Sequence, residues 1–206
     1  MTSISIIGSG RMSAAIADVA ARAGAGIQIV RRSTASSSGD RPDVTYAALG
    51  DDLTGDLVVL AVPSAAYPSI LDHYRERLRD KVVIDISNPI DFTTYDELTV
   101  PSDSSSAAEL ARMLPEGAAV VKAFNVNLGD TLVTGTNGTT RTTVLFAGDY
   151  AEAKIAVASL IEDAGLRAVD VGPLSRAREL EAMGFLQIVL AALGATSYES
   201  GFTLLP

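Results

Sequence analysis

The chain has 206 residues, 48% of them apolar, with 16 Lys and Arg against 25 Asp and Glu and no cysteine. That length fits one domain, or at most two small ones, with enough apolar material for a sizeable core. The net charge of −9 argues against nucleic acid as the main partner, because duplex binding needs a basic footprint, and the missing thiols exclude disulfides, thiolate metal sites and cysteine nucleophiles. No metal site is expected. No apolar run approaches the roughly 18 residues a membrane span needs, and no basic-then-apolar leader precedes the first strand. A soluble, cytoplasmic protein without a membrane partner is the expectation.

The charge is uneven. Residues 1–41 hold five arginines (Arg11, Arg22, Arg31, Arg32, Arg41) against two aspartates (Asp18, Asp40), which leaves 11 cations against 23 carboxylates for the rest. A small anion-handling region in an acidic body suits a phosphorylated cofactor.

Residues 3–7 read as a strand, and the Ala-rich residues 12–23 as a helix. A second strand covers 27–30, a polar loop 33–43 and a short third strand 44–46. The continuous apolar run 57–62 is typical of a strand covered on both faces. A helix over 64–78, a strand over 82–86 and a loop over 88–103 follow. The next helix spans 104–114, with Ser106 as N-cap and Glu109 as its reciprocal partner. Strands over 119–122 and 142–147 are separated by a Thr/Gly/Asn-rich loop at 134–140. A helix over 152–164 ends at Gly165, a last strand spans 167–171, and an apolar helix runs from 175 to 192 with an aromatic tail. The alternation predicts an α/β fold: a Rossmann-type, doubly wound, mostly parallel sheet. The whole chain, residues 1–206, forms one NADP-binding domain in this reading, with 173–206 as its C-terminal helical extension and tail.

The first strand ends in Gly8-Ser9-Gly10-Arg11-Met12-Ser13 and enters a helix directly. This is a G-x-G-x-x-S form of the dinucleotide fingerprint. Gly8 permits the tight turn, Gly10 lets a pyrophosphate approach the backbone, and small Ser13 stands where helix and strand pack together. The N–H groups at the helix start would hold the pyrophosphate, aided by the helix dipole. The second strand ends in Arg31-Arg32, where an NAD site would carry Asp or Glu for the ribose 2′-hydroxyl. Arginine there suits the 2′-phosphate of NADP. Ala61-Val62-Pro63, Asn88-Pro89 and Asn125 lie at the ends of later strands, where ligands of doubly wound sheets sit. The backbone at 61–63 is placed to line the adenosine-to-nicotinamide path. Asn88 and Asn125 are candidates for hydrogen bonds to the nicotinamide or ribose, or for turn stabilisation.

Together these segments resemble the NADPH-dependent reductases of the deazaflavin coenzyme F420. The carriers are Gly8–Ser13, Arg31-Arg32, Ala61-Val62-Pro63, Ser106-Ala-Ala-Glu-Leu110, Val121-Lys-Ala-Phe-Asn125, Ala147-Gly-Asp149, and Asp170-Val-Gly-Pro-Leu-Ser175 with Glu179 and Glu181. The resemblance implies NADP(H) contacts at Ser9 to Met12, Arg31 and Arg32. It places the nicotinamide near Val62, Pro63 and Asn88, and Asn125, Asn127, Gly129 and Ser200 beside the deazaflavin. Lys-Ala-Phe-Asn is similar also to the cytoplasmic domains of ferric reductases that use ordinary flavins, so FMN or FAD is the alternative partner.

The implied reaction is hydride transfer between NADP(H) and coenzyme F420, which needs stacked rings and exclusion of water rather than a side-chain acid or base. No catalytic side chain is therefore assigned. An NADPH-dependent flavin or ferric reductase, or a non-enzymatic NADPH sensor, would use the same fold. His73, the single histidine, falls on a polar helical stretch. Tyr150-x-x-x-Lys154 matches the spacing of the short-chain dehydrogenase pair, but that family's glycine turn is missing. The helix over 175–192 is apolar around much of its circumference and is expected to pack in a homodimer, with the tail capping the active site.

Overall fold

The computed structural model describes residues 2–32 and 40–204, so most of the expected polar loop at 33–43 lies outside the described residues. In chain order, β1 (Ser3–Ile7) leads through α1 (Arg11–Arg22) to β2 (Gly26–Arg31), β3 (Val44–Ala48) and β4 (Leu57–Leu60). Then come α2 (Tyr67–Tyr74), with a single 3-10 turn at each end, β5 (Val82–Asp85), α3 (Ser106–Met113) and β6 (Ala119–Ala123). The last part holds α4 (Gly129–Thr134), a hairpin of β7 (Thr136–Asn137) and β8 (Thr140–Arg141), β9 (Thr143–Gly148), α5 (Ala151–Asp163), β10 (Arg167–Asp170) and α6 (Ala177–Ala192).

The large sheet has the order β10-β9-β6-β5-β4-β1-β2-β3. From β3 to β6 all neighbours are parallel, β9 runs antiparallel to β6, and β10 runs parallel to β9. Order 3-2-1-4-5-6 is the dinucleotide-binding arrangement, and the strand order reverses between β1 and β4, where a crevice opens at the carboxyl ends. The two-residue side-chain period divides the core between both faces. Ile4, Ile6, Val59, Ile84 and Val121 meet α1, α4 and α5, while Ile7, Val58, Leu60, Val83 and Val120 meet α2 and α3. Each fully buried Ile, Leu or Val of this kind contributes about 1.5–3 kcal/mol.

Three local features differ from the expectations. The segment before and within 134–140 holds α4 and the β7–β8 hairpin. Leu132, fully buried in the α1–α5 cluster, draws this short turn of helix onto the core. The cap of α3 lies one residue earlier: Ser105 Oγ accepts from Ala108 N–H, and Glu109 pairs with Ser104 Oγ and Arg112. Ser106 is thereby released for a different task, described below. Finally, β4 stops at Leu60, so Ala61-Val62-Pro63 is loop at the crevice. Among the described residues no helix is long and apolar enough to cross a membrane.

Candidate functional site

The turn after β1 is built by close approach. Gly8 has φ +132°, and a Cβ there would collide with the Ala61 carbonyl oxygen. Its N–H donates to Val30 O at 2.9 Å, and Ser13 Oγ donates to its carbonyl at 2.8 Å, so β1, β2, β4 and α1 are tied at one point. A Cβ placed on Gly10, by contrast, would meet no atom of the described residues within 4 Å. The described residues leave that position open, which matches a close approach from outside.

Gly10 caps α1 in an extended conformation without a side-chain partner, and the first intrahelical bond is Ala14 N–H to Gly10 O at 3.1 Å. The N–H groups of Arg11, Met12 and Ser13 therefore have no intrahelical acceptor, and with the helix dipole they form an anion cradle. Beside it is a cleft of about 550 Å³ lined by Gly8, Ser9, Gly10, Arg31, Arg32, Leu49, Ala61, Val62, Pro63 and Ile70. Eight of the residues expected at the cofactor, from three separate segments, meet in this one cleft.

The two arginines differ. Arg32 is exposed at the cleft. The Arg31 side chain is only 13% exposed, gives a two-pronged ion pair to Asp40 (2.6 and 2.9 Å) and lies 4.1 Å above the Tyr46 ring. Arg11, by contrast, points to solvent and reaches Asp130 at 3.4 Å, and Met12 is half-buried beside Gly129 at the start of α4.

A second constellation lies further along the same edge of the sheet. Asn88 Nδ2 donates to Asn125 O at 2.8 Å, while Asn125 Nδ2 reaches Asn88 Oδ1 at 2.8 Å and Leu180 O at 2.9 Å. Pro89 is buried, and its carbonyl accepts from Thr99. Asn127 Nδ2 donates to Thr143 O at 2.9 Å. Among the described residues, Asn125 Oδ1, Asn127 Oδ1 and Thr143 Oγ1 are buried acceptors without a hydrogen-bond partner. Such atoms are costly unless a donor meets them. Helix α6 crosses this pair at Gly184, where a Cβ would collide with Asn88 Oδ1 and sit 2.9 Å from Asn125 O. A mid-helix glycine costs about 1 kcal/mol in propensity; here it permits contact between helix backbone and the asparagine pair.

Beneath lies a buried ionic cluster that sequence reasoning did not assemble. Lys122 Nζ contacts Asp85 Oδ2 (3.1 Å), Glu181 Oε1 (2.8 Å), Ser87 O (2.5 Å) and Ser106 Oγ (3.2 Å), and all three charged side chains are fully buried. Tyr67 Oη donates to Asp85 Oδ1 at 2.5 Å, and Glu181 accepts from Ser106 N–H (3.0 Å) and Oγ (2.7 Å) at the start of α3. Burial pushes the Asp85 carboxyl up, but Lys122, Tyr67 and Ser87 outweigh it and hold it below the ordinary value. Burial, then the Asp85 charge, push the Tyr67 phenol well above its usual range. The signal available in sequence was a lone lysine in the apolar strand 119–123.

Ser200 is half-buried in the tail, with Oγ on Ser197 O at 3.1 Å. The tail is pinned by Gly201 to Asn137, by Phe202 N–H to Gln187 Oε1 (3.2 Å) and by Arg167 to Leu204 O (2.8 Å). Phe202 to Leu204 thereby lie against Val126 and Thr143, two positions beyond Ser200. Tyr150 and Lys154 follow β9, whose reversed direction puts them at the opposite edge of the sheet from Gly8. Lys154 there pairs with Asp170 at 2.8 Å. His73 is exposed on α2. Among the described residues no cluster of three or more His, Cys, Asp or Glu is arranged for a metal.

Residues 3–89 match the family model described as NADP oxidoreductase, coenzyme F420-dependent. The chain is 28% identical over 182 residues to metalloreductase STEAP3 of Rattus norvegicus, an alignment covering 87% of this chain and 36% of that protein. It is 35% identical over 136 residues to an F420-dependent NADP reductase of Methanothermobacter thermautotrophicus, covering 62% of this chain and 57% of that one. A crystal structure from Arthrobacter sp. FB24, provisionally assigned as an F420-dependent NADP-reductase, superposes with TM-score 0.85 at 26% identity over 98% of this chain and 99% of that one. The chain spans between 36% and 62% of the length of the curated relatives it matches.

Proposed function

We propose, for a chain whose residues 3–89 match the coenzyme F420-dependent NADP oxidoreductase family model, that it is an NADPH-dependent oxidoreductase exchanging a hydride with coenzyme F420. The observation that carries this reading is the meeting of the α1 donors with Arg31 and Arg32 around one cleft.

The residues fit the cofactor: Gly10 leaves room for a pyrophosphate, three backbone N–H groups await an anion, and Arg32 is at hand for a 2′-phosphate. Bound there, NADPH supplies a hydride at its nicotinamide ring. In this reading the backbone donors of Arg11, Met12 and Ser13 hold the pyrophosphate, in the turn shaped by Gly8, Ser9 and Gly10. Ala61, Val62 and Pro63 form the wall along which the cofactor extends toward Asn88 and Pro89. The Asn88–Asn125 pair fixes the loops, and the unpartnered Asn125 Oδ1 is an acceptor suited to a carboxamide N–H. Asn127, Gly129 and Ser200 flank the second ring, and the pinned tail limits water. No side chain donates or removes a proton at the reacting carbons.

The chain acts as one unit, residues 1–206, and as a homodimer through α6. Leu186 (51%) on that helix and Leu193 (76%) at its C-cap remain exposed, while the inner side of the helix carries Leu180, Glu181, Gly184, Gln187 and Ala191. A second reading, flavin or ferric reduction, is favoured by the match to the metalloreductase over 87% of the chain. The test is NADPH-dependent bleaching of oxidised F420 beside FMN, FAD and ferric citrate. Rapid bleaching with little response of the controls is expected. Turnover of flavin or iron alone would move the function to the second reading, and binding without any turnover would make the protein a sensor.

A further inference from the structure

Asp40 lies nine residues beyond Arg31, and its carboxylate occupies the terminal fork of that guanidinium through two hydrogen bonds of 2.6 and 2.9 Å. Both groups are largely shielded, at 13% and 20% side-chain exposure. Tyr46 supports Arg31 from below and accepts from the Arg41 N–H at 2.9 Å. Arg41 in turn pairs with Asp18 and Asp43. The neighbourhood thus sets Arg31 and Arg41 against three carboxylates. Arg31 also borders two clefts, the one beside Arg32 and a second of about 380 Å³ that contains Asp40 and Arg41.

A bidentate carboxylate takes the geometry that a guanidinium would otherwise offer to a phosphate. It also cancels the local field and repels an entering dianion. We propose that Asp40 is a specificity-determining residue: by holding the Arg31 fork it competes with the 2′-phosphate of NADP, so that Arg32 carries most of the recognition and the preference over NAD is smaller than two free arginines would give. The inference rests on the NADP reading of this cleft and goes beyond it by assigning a carboxylate that opposes the same anion.

The experiment is fluorescence titration of the full chain with NADPH, NADH and 2′,5′-ADP, on wild type and Asp40→Asn. Thermal unfolding establishes that the variant is folded, and Asp40→Ser is the substitute if it is not. Removing the charge is expected to tighten NADPH and 2′,5′-ADP by about threefold to tenfold while NADH stays unchanged. Weaker or unchanged NADPH binding, or an equal shift for both coenzymes, overturns the proposal while leaving the cofactor reading intact. A wild type that binds NADPH no more tightly than NADH overturns both.

Discussion

The two ends of the carboxyl edge of the sheet are built in different ways. Around β1, α1 and β2 the working groups are backbone N–H donors, glycines and the Arg31–Arg32 pair, each within a few residues of the end of the strand that carries it. Around β5, β6 and α6 they are side chains brought together from residues 85, 88, 122, 125 and 181, closed over by a helix at Gly184. The first end has little to lose from a change in a remote residue. The second depends on every member, because a buried charge that loses its partner keeps its desolvation cost.

The largest expected effect is at the closed end. Lys122→Met leaves Asp85 and Glu181 buried together without a cation and should cost about 3–5 kcal/mol in urea denaturation. A loss under about 1 kcal/mol would mean that the cluster is not the tie between α6 and the sheet. At the open end the comparable point is Gly8, where Ala meets both the positive φ and the Ala61 carbonyl. Gly8→Ala should cost about 2–4 kcal/mol and abolish coenzyme binding. Retained NADPH affinity in that variant would detach the turn from the site.

Gly184→Ala sharpens the contrast more finely. The added methyl meets Asn88 Oδ1, with an overpacking cost of about 1–3 kcal/mol, and should lower turnover while leaving NADPH affinity within about twofold. A parallel loss of both would show that the two ends are not separable. The smallest effect is on pH dependence. With its carboxyl held down, Asp85 contributes stability that is complete above the ordinary aspartate value of 3.8 and is lost as pH falls further. With its phenol held up, Tyr67 contributes stability that is complete below 10 and is lost as pH rises beyond it. The contribution of these two groups to wild-type stability should therefore be level between those limits, and a wild-type loss of stability from either group between about pH 5 and pH 9 would contradict the assignment.

The same contrast explains what the sequence disclosed. Gly8, Ser13 and Arg31-Arg32 act within a few residues of the strands that carry them, so spacing alone places them. The α/β alternation likewise pointed to a parallel sheet, because parallel neighbours need crossovers. The reversal of β9 left no such mark, since a buried strand reads alike in both directions. Helix α4 was hidden because Thr131, Val133 and Thr134 are weak helix formers, and only the burial of Leu132 makes the turn worth forming. Ser105 and Ser106 are equally good caps by type. What separates them is Glu181, 75 residues away, which takes Ser106 for the buried cluster. Asp40 was visible as an acid after the second strand, yet its return onto Arg31 is a tertiary contact.

Recognition of a 2′-phosphate at the open end is tested by calorimetric titration of NADPH and NADH against wild type and Arg32→Ala. NADPH should bind wild type at least about tenfold more tightly than NADH, and Arg32→Ala should remove about tenfold from NADPH while NADH stays nearly unchanged. Equal affinities in wild type, or equal losses for both coenzymes in the variant, would contradict it.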